Sequence, residues 1–151
     1  MTGGARRLVA IAVTAVAASA LPAGAQTKDP LVAAAAEPGA VTTAGGAIVR
    51  IVSEGQGASP KPDDEVRVNY RGAFTDGRVF DSSYDRGEPA TFRLNRVIRC
   101  WTEGLQLMKV GGKAKLTCPS STAYGETGTK SGSIPGFATL VFDVELLAIV
   151  K

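Results

Sequence analysis

The sequence predicts an α+β domain in which an antiparallel β-sheet wraps around one short α-helix. Two observations carry this prediction. Between residues 47 and 151, most segments alternate apolar and polar residues, as half-buried strands do, and turns of hairpin length separate them. Residues 97–108 instead place apolar residues at helical spacing. One helix in a strand-rich chain must lay its apolar side on the sheet, so both elements are expected to share a core.

The first 25 residues have the order of a secretory signal peptide. Arg6 and Arg7 precede an apolar run over residues 8–21, and Ala23-Gly24-Ala25 follows as a small-residue cleavage site. The run is short for a membrane span, although an uncleaved N-terminal anchor is the alternative. Cleavage after Ala25 would release the protein to the periplasm or the medium, with no membrane span left.

Residues 26–46 are predicted to form a flexible linker. They are rich in Ala, Thr, Pro and Gly and contain no aromatic side chain. Residues 31–36 are enough for a turn or two of helix before Pro38-Gly39 stops it. The segment is too short for a dimerisation domain, so a monomer is expected. The globular domain is therefore expected to occupy residues 47–151.

The strands are predicted, in chain order, at residues 48–52, 65–70, 79–80, 91–94, 113–118 and 139–149. The last of them has one continuous apolar face, made of Leu140, Phe142, Val144, Leu146 and Ala148. Residues 119–136 show no such pattern and are rich in Gly, Ser and Thr. A loop this long inside a small domain is more often functional than structural.

The predicted helix contains Trp101, the single tryptophan of the chain, on the same side as Leu105 and Met108. Trp101 is interpreted either as a large core residue or as part of a binding pocket. The second interpretation rests on the number of rings at inward positions, namely Tyr70, Phe80, Phe92, Trp101 and Phe142. A small core needs fewer rings, and the long loop adds Tyr124 and Ile134 beside them. A concave aromatic pocket roofed by that loop is the functional alternative.

Composition excludes several classes of function. The chain has 17 basic and 14 acidic side chains, and removal of Arg6 and Arg7 leaves 15 against 14, a net charge of +1. This balance gives no case for nucleic-acid binding. Histidine is absent, which excludes Ser-His-Asp and Cys-His catalysis and most zinc sites. Two cysteines alone cannot complete a structural metal site, so neither metal nor cofactor is expected.

Several motifs, taken together and in order, resemble the FKBP-type peptidyl-prolyl cis–trans isomerase family. They are Val-Asn-Tyr-Arg-Gly at 68–72, Asp-Gly-Arg-Val-Phe-Asp-Ser-Ser at 76–83, Val-Ile-Arg-Cys-Trp-Thr-Glu-Gly at 97–104, Ala-Tyr-Gly at 123–125, Ile-Pro at 134–135 and Leu-Val-Phe-Asp-Val-Glu-Leu at 140–146. The resemblance covers residues 47–150 and is strongest to secreted bacterial members.

The resemblance implies a function without a cofactor. It is the acceleration of X–Pro isomerisation during the folding of periplasmic or secreted proteins. The implied partners are proline-containing unfolded or flexible polypeptides, together with macrolides such as rapamycin or tacrolimus. A chaperone or binding module that uses the same pocket with little turnover is the alternative function.

The resemblance also implies a site. The residues implied to line a proline pocket are Tyr70, Phe80, Val97, Ile98, Trp101, Tyr124, Ile134 and Phe142, with Trp101 as the floor. Asp81 is expected at the rim, bound to Arg86 and to the Tyr70 hydroxyl. The Tyr124 hydroxyl and the Ile98 backbone N–H would bind carbonyl groups of the peptide. Asp81 and Tyr124 are therefore the expected catalytic residues.

Some positions depart from the family pattern. Ala90 stands where the well-known drug-binding members carry Phe, and Gly136-Phe137 replaces a proline and a polar residue. Cys100 replaces a glycine just before Trp101, and Cys118 lies at an apolar strand position. A Cys100–Cys118 disulfide is expected in an oxidising compartment. Two buried free thiols are the alternative.

Overall fold

The computed structural model describes residues 29–150. Its strands are β1 (Ala40–Thr42), β2 (Ile48–Ser53), β3 (Glu65–Phe74), β4 (Val79–Ser82), β5 (Ala90–Arg93), β6 (Lys113–Cys118) and β7 (Leu140–Val150). Its α-helices are α1 (Pro30–Ala35), α2 (Ser83–Arg86) and α3 (Arg99–Leu105), and 3-10 turns occupy Leu94–Arg96 and Ser120–Thr122. The predicted signal peptide lies outside the described residues.

The strands of this part of the chain form one antiparallel sheet in the order β1-β2-β6-β7-β3-β4. The strand β5 pairs with the first residues of β3, from Glu65 to Val68, while β4 pairs further along, from Arg71 to Ala73. A single strand therefore bridges two short partners on the same edge. The predicted α+β fold, an antiparallel sheet with a short helix packed on it, is confirmed.

The central strands bury alternate residues as predicted. In β3 these are Val66, Val68 and Tyr70, and β7 buries every second residue from Leu140 to Leu146. Ala148, predicted to share that face, is only half-buried. Beyond Leu146 the strand pairs with β3 alone, so less of the sheet and core surrounds it.

The helix α3 is shorter than its predicted range of residues 97–108 but buries the predicted side. Trp101 and Leu105 are in the core, and Met108 is also buried although it follows the helix end. The contact with the sheet depends on Gly104, where a Cβ atom would lie 2.9 Å from Leu116 Cδ2. Because glycine has no Cβ, α3 approaches β6 closely and carries Trp101 onto the sheet.

Two short elements lie within the segment that the sequence predicts as a flexible linker. They are the helix α1 and the strand β1, and β1 pairs with β2 from Ala40 opposite Arg50 to Thr42 opposite Ile48. Glu37 also accepts a hydrogen bond of 3.1 Å from Lys115. The segment is ordered because β1 satisfies the free edge of β2, an effect that its Ala- and Thr-rich sequence does not signal.

A disulfide joins Cys100 to Cys118, as expected. Both residues are fully buried, and their Cα atoms are 5.7 Å apart. The bond fastens the first turn of α3 to the last residue of β6. Among residues 29–150, no helix is long and apolar enough to cross a membrane.

Candidate active site

An apolar cavity of about 340 Å³ opens between α3, the sheet and the loop after β6. Strands β3, β4, β5 and β7 contribute to its wall, together with the turn before α3. The lining residues are Tyr70, Phe80, Asp81, Phe92, Arg96, Val97, Ile98, Trp101, Tyr124 and Phe142. Every predicted site residue is in this set except Arg86 and Ile134.

Trp101 belongs both to the hydrophobic core and to the cavity lining. Three rings stand nearly perpendicular to its indole: Tyr70 at 5.1 Å, Phe92 at 5.4 Å and Phe142 at 5.4 Å between centroids. Edge-to-face packing of this kind is favourable between aromatic side chains and fixes their orientation. The two interpretations of Trp101 are therefore compatible, because one side chain packs in the core and bounds a cavity.

Gly72 of β3 makes room for the rings on the far wall. A Cβ atom at this position would lie 2.7 Å from Phe80 Cζ and 2.8 Å from Phe142 Cε1. The two rings meet edge to face at 5.6 Å. Any larger residue at position 72 would push these rings, so glycine here sets the shape of the cavity.

Asp81 lies at the rim, with its side chain 41% exposed. Its carboxylate accepts hydrogen bonds from the Tyr70 hydroxyl and from the Arg86 guanidinium, and Arg86 also donates to the Tyr70 oxygen at 3.1 Å. The one-turn helix α2 brings Arg86 back to Asp81, and it ends at Gly87 in the left-handed conformation, with φ of 80°. Arg86 thus supports Asp81 from outside the lining.

The two tyrosine hydroxyls of the cavity, of Tyr70 and Tyr124, are protonated and uncharged near neutral pH. Burial, followed by the hydrogen bond to Asp81, raises the pKa of Tyr70 above its usual value. Burial, followed by the negative charge of Asp81, raises the pKa of Tyr124 as well. The Tyr124 hydroxyl and the Ile98 backbone N–H form no hydrogen bond within residues 29–150. Both groups are therefore free to bind a ligand carbonyl.

Ile134 is placed in the hydrophobic core, 4% exposed, rather than in the lining. Its backbone exchanges two hydrogen bonds with Thr129, at 3.0 Å and 3.1 Å, which folds the loop back on itself. Further along, the Phe137 N–H donates to the Gly125 carbonyl at 2.9 Å, next to Tyr124. The loop is thus held by hydrogen bonds within itself, one of them accepted by the Thr129 hydroxyl, and that folding buries Ile134.

Two lining residues, Phe92 and Arg96, were not among the predicted site residues. Phe92 has the inward position that strand alternation predicts, but the motifs give it no role. Arg96 lies in the 3-10 turn between β5 and α3. No periodic pattern covers that turn, so only the path of the backbone shows that Arg96 meets the cavity.

Within the described residues, the site has no Ser, Thr, Lys or free Cys side chain in its lining, so those nucleophiles are not available for covalent catalysis. Its disulfide cysteines are not free thiols, and its lining is mostly aromatic and aliphatic. An antiparallel sheet around one helix, with an aromatic cavity and a paired carboxylate at its rim, defines the class of the prolyl isomerase domain.

Comparisons with known proteins place the chain within that class. The FKBP-type peptidyl-prolyl cis–trans isomerase family model matches residues 56–147. The isomerase FkpA of Aeromonas hydrophila is 57% identical over 121 residues, which cover 80% of this chain and 44% of the relative. This chain belongs to the FKBP-type peptidyl-prolyl cis–trans isomerase family. It spans less than half the length of the curated FkpA relatives that it matches.

Solved structures agree with this assignment. The crystal structure of FkpA from Escherichia coli is 48% identical, with a TM-score of 0.77, and the match covers 83% of this chain and 58% of that one. A peptidyl-prolyl cis–trans isomerase of Pseudomonas syringae pv. tomato is 35% identical, with a TM-score of 0.75. That match covers 89% of this chain and 100% of the other.

Proposed function

We propose that this chain is a peptidyl-prolyl cis–trans isomerase that acts on X–Pro bonds of unfolded or flexible polypeptides. The observation that carries the proposal is the aromatic cavity that Trp101 bounds, with Asp81, Tyr70 and Arg86 hydrogen-bonded at its rim. The relatives named as isomerases of this type support the same activity.

The cavity suits the chemistry of amide rotation. Turning an X–Pro bond breaks no covalent bond, but its barrier of about 20 kcal/mol makes the uncatalysed process take tens of seconds. Resonance makes the planar amide the more charge-separated form, and the twisted transition state loses that resonance. An apolar, water-poor cavity therefore stabilises the twisted amide relative to the planar one, which lowers the barrier through differential binding.

Each group at the site has a place in this mechanism. The proline ring packs against Trp101, while the free Tyr124 hydroxyl and Ile98 N–H bind carbonyl groups of the peptide. Asp81 orients the Tyr70 hydroxyl and adds a charge beside the amide, and Arg86 holds that charge in place. The groups together hold the peptide in a bent conformation close to the twisted transition state, which lowers the entropy cost of reaching it.

A binding module with little turnover is the competing function, because the same cavity would hold a proline peptide without accelerating its isomerisation. The Tyr124 hydroxyl, unpaired among the described residues, would serve either function, because a peptide carbonyl could bind to it with or without turnover, whereas the relatives named as isomerases favour catalysis. Under the competing function the wild-type chain would bind a proline peptide and leave its isomerisation rate unchanged.

A protease-coupled assay on a proline tetrapeptide separates the two functions. We expect the wild-type chain to accelerate isomerisation and Trp101→Leu to lose at least about tenfold in kcat/KM per folded molecule, since the floor of the cavity is lost. Tyr84→Leu is the matched aromatic control, because Tyr84 is 53% exposed and lies outside the lining. Binding of the peptide without acceleration by the wild-type chain would favour the binding module.

We propose the location and the domain boundaries from the order of segments in the sequence and from the disulfide. Residues 1–25 act as a cleaved signal peptide, residues 26–46 as a linker whose strand β1 pairs with the sheet, and residues 47–151 as the isomerase domain of a periplasmic or secreted protein. The Cys100–Cys118 disulfide supports an oxidising compartment. Cell fractionation tests the location, and the mass of the mature protein, expected to correspond to residues 26–151, tests the cleavage site.

The same cavity is proposed to bind macrolides such as rapamycin or tacrolimus, and the protein is proposed to act as a monomer. The resemblance aligns Ala90, which lies in β5 outside the lining, with a Phe of the drug-binding members, and the lack of that ring would weaken macrolide binding. Inhibition of peptide turnover by rapamycin, measured together with the molar mass by light scattering, tests both statements.

A further inference from the structure

Arg96 is a cation of the cavity wall that has no salt-bridge partner among residues 29–150. The residue is exposed. Its neighbours along the chain differ, since Arg93 lies 3.7 Å from Glu65 and Arg99 lies 2.7 Å from Glu103. Arg96 is thus available to an anion that enters from solvent.

The charges around the cavity leave Arg96 uncompensated. Only two of the lining residues are charged, Asp81 and Arg96. The carboxylate of Asp81 is already paired with the guanidinium of Arg86. Counted together with Arg86, which lies outside the lining, these groups carry a net charge of +1, and Arg96 is the one without a carboxylate partner in the described part of the chain. A concave apolar surface strengthens the field of such a charge relative to open water.

The position of Arg96 places this charge beside the bound peptide. It directly precedes Val97 and Ile98, which also line the cavity. The free N–H of Ile98 is the proposed anchor for a peptide carbonyl. A residue next to the proline would therefore come within reach of a long, flexible guanidinium.

We propose that Arg96 gives the enzyme a preference for substrates with Glu or Asp adjacent to the proline. The inference rests on the proposed isomerase function and names the substrate class of that site. A carboxylate beside the proline would pair with the guanidinium, whereas a Lys or Arg there would be repelled. For an exposed ion pair we expect an effect of about two- to fivefold in kcat/KM at low salt.

Exchange NMR on unmodified peptides measures this preference without a coupled protease. One series varies the residue before proline and a second varies the residue after it, with Glu, Gln or Lys at the varied position. Glu and Gln have nearly the same shape, so their ratio isolates the charge. In at least one series we expect kcat/KM to follow Glu above Gln above Lys, with the differences shrinking as salt is raised to about 0.5 M.

Two substitutions at Arg96 and one control variant test whether the charge preference arises from Arg96. Arg96→Gln should bring the Glu to Gln ratio to one, and Arg96→Glu should reverse it in favour of Lys. Arg93→Gln removes the same charge outside the lining and should keep the wild-type ratio. The melting temperature of each variant establishes that it is folded.

The outcomes separate this inference from the function it rests on. Turnover of neutral peptides with a Glu to Gln ratio of one in both series overturns the role of Arg96 alone. The same conclusion follows if the preference survives in Arg96→Gln or disappears in Arg93→Gln. If no peptide is turned over, the proposed function fails and the inference fails with it.

Discussion

Cys100 and Cys118 connect the cavity floor to the sheet by a covalent bond. Cys100 is next to Trp101 in the first turn of α3, and Cys118 is the last residue of β6. Both side chains are fully buried. The helix that carries the floor is thus held by the disulfide at one end and by the close contact of Gly104 with Leu116 further along.

Removal of this disulfide should lower stability more than activity. The bond closes a loop with a sequence separation of 18, and its loss should lower the free energy of unfolding by about 3 kcal/mol. The rings around Trp101 remain, so we expect kcat/KM per folded molecule to change by less than about threefold. Urea unfolding of the double variant Cys100→Ala, Cys118→Ala measures the effect.

Reduction of the wild-type disulfide provides the control for that experiment. Dithiothreitol should lower the stability of the wild-type chain to near that of the double variant and should leave the double variant unchanged. Equal stability of oxidised and reduced wild type would contradict the prediction.

Asp81→Asn should reduce turnover while stability changes little. Asparagine keeps the shape of the side chain but removes the charge that accepts hydrogen bonds from Tyr70 and Arg86. Loss of a charged hydrogen-bond acceptor at the site should lower kcat/KM by about tenfold. Because Asp81 and Arg86 are both partly exposed, the free energy of unfolding should change by less than about 1 kcal/mol.

The matched control is Asp76→Asn, since Asp76 forms an exposed pair with Arg78 away from the lining. This variant should retain wild-type turnover. A sharp fall in the melting temperature of Asp81→Asn, with activity per folded molecule intact, would show that Asp81 has a structural role only.

Tyr124→Phe removes a hydroxyl that the described residues leave unpaired. We expect kcat/KM to fall by about two- to tenfold, the effect of one neutral hydrogen bond to substrate, with no more than about 0.5 kcal/mol change in stability. Burial raises the pKa of Tyr124 above 10, so the hydroxyl stays neutral at lower pH. The ratio of wild-type to variant activity should therefore be constant between about pH 6 and 9.

Tyr84→Phe serves as the control for Tyr124, because the Tyr84 hydroxyl is exposed and lies 3.5 Å from Glu145. It should leave turnover unchanged. Equal turnover of Tyr124→Phe and wild type would remove Tyr124 from the mechanism.

Glu103→Gln should lower stability in a pH-dependent manner. The nearby Thr43 hydroxyl, followed by the hydrogen bonds from Arg99 and the Gly45 N–H, lowers the pKa of Glu103 below its usual 4.5. A lowered folded-state pKa means that the carboxylate stabilises the fold above pH 4.5 and that this contribution is lost as the pH falls through the folded-state pKa. We expect a difference of about 1 kcal/mol at pH 7.

Thermal unfolding of wild type and Glu103→Gln between about pH 3 and 7 measures this difference. The two curves should converge at the acid end. Since Glu103 lies on α3 and Gly45 precedes β2, a constant difference at all pH values would mean that the charge does not fasten the N-terminal segment to the helix.

Strand periodicity predicted much of the fold because burial on one face leaves an alternating pattern. The segment 113–118 agrees with β6 at both ends, and residues 65–70 lie within β3. Periodicity did not predict the strand β1, because it has only three residues, Ala40 to Thr42, and is ordered by its pairing with β2. Three residues at a sheet edge carry no periodic signal, so the sequence does not predict β1 within the linker segment.

The residues of the site also fall into those that the sequence predicts and those that it does not. The ordered motifs predicted the aromatic side chains, Asp81 and Arg86, but Ile134 and Arg96 depend on how a loop and a 3-10 turn fold. Ile134 is buried by the hydrogen bonds that its backbone forms with Thr129. Arg96 meets the cavity because its turn joins β5 to α3 at the cavity wall.

The sequence by itself determined which faces are apolar, which helix carries the single tryptophan and which chemistry a chain without histidine excludes. The tertiary structure alone decided the contacts that no pattern in the sequence marks: the approach of Gly104 to Leu116, the burial of Ile134, and the place in the cavity wall of Arg96, which has no salt-bridge partner among residues 29–150. The physical reason is that periodicity records burial within one element, whereas a cavity is formed where several elements that are distant in sequence come together.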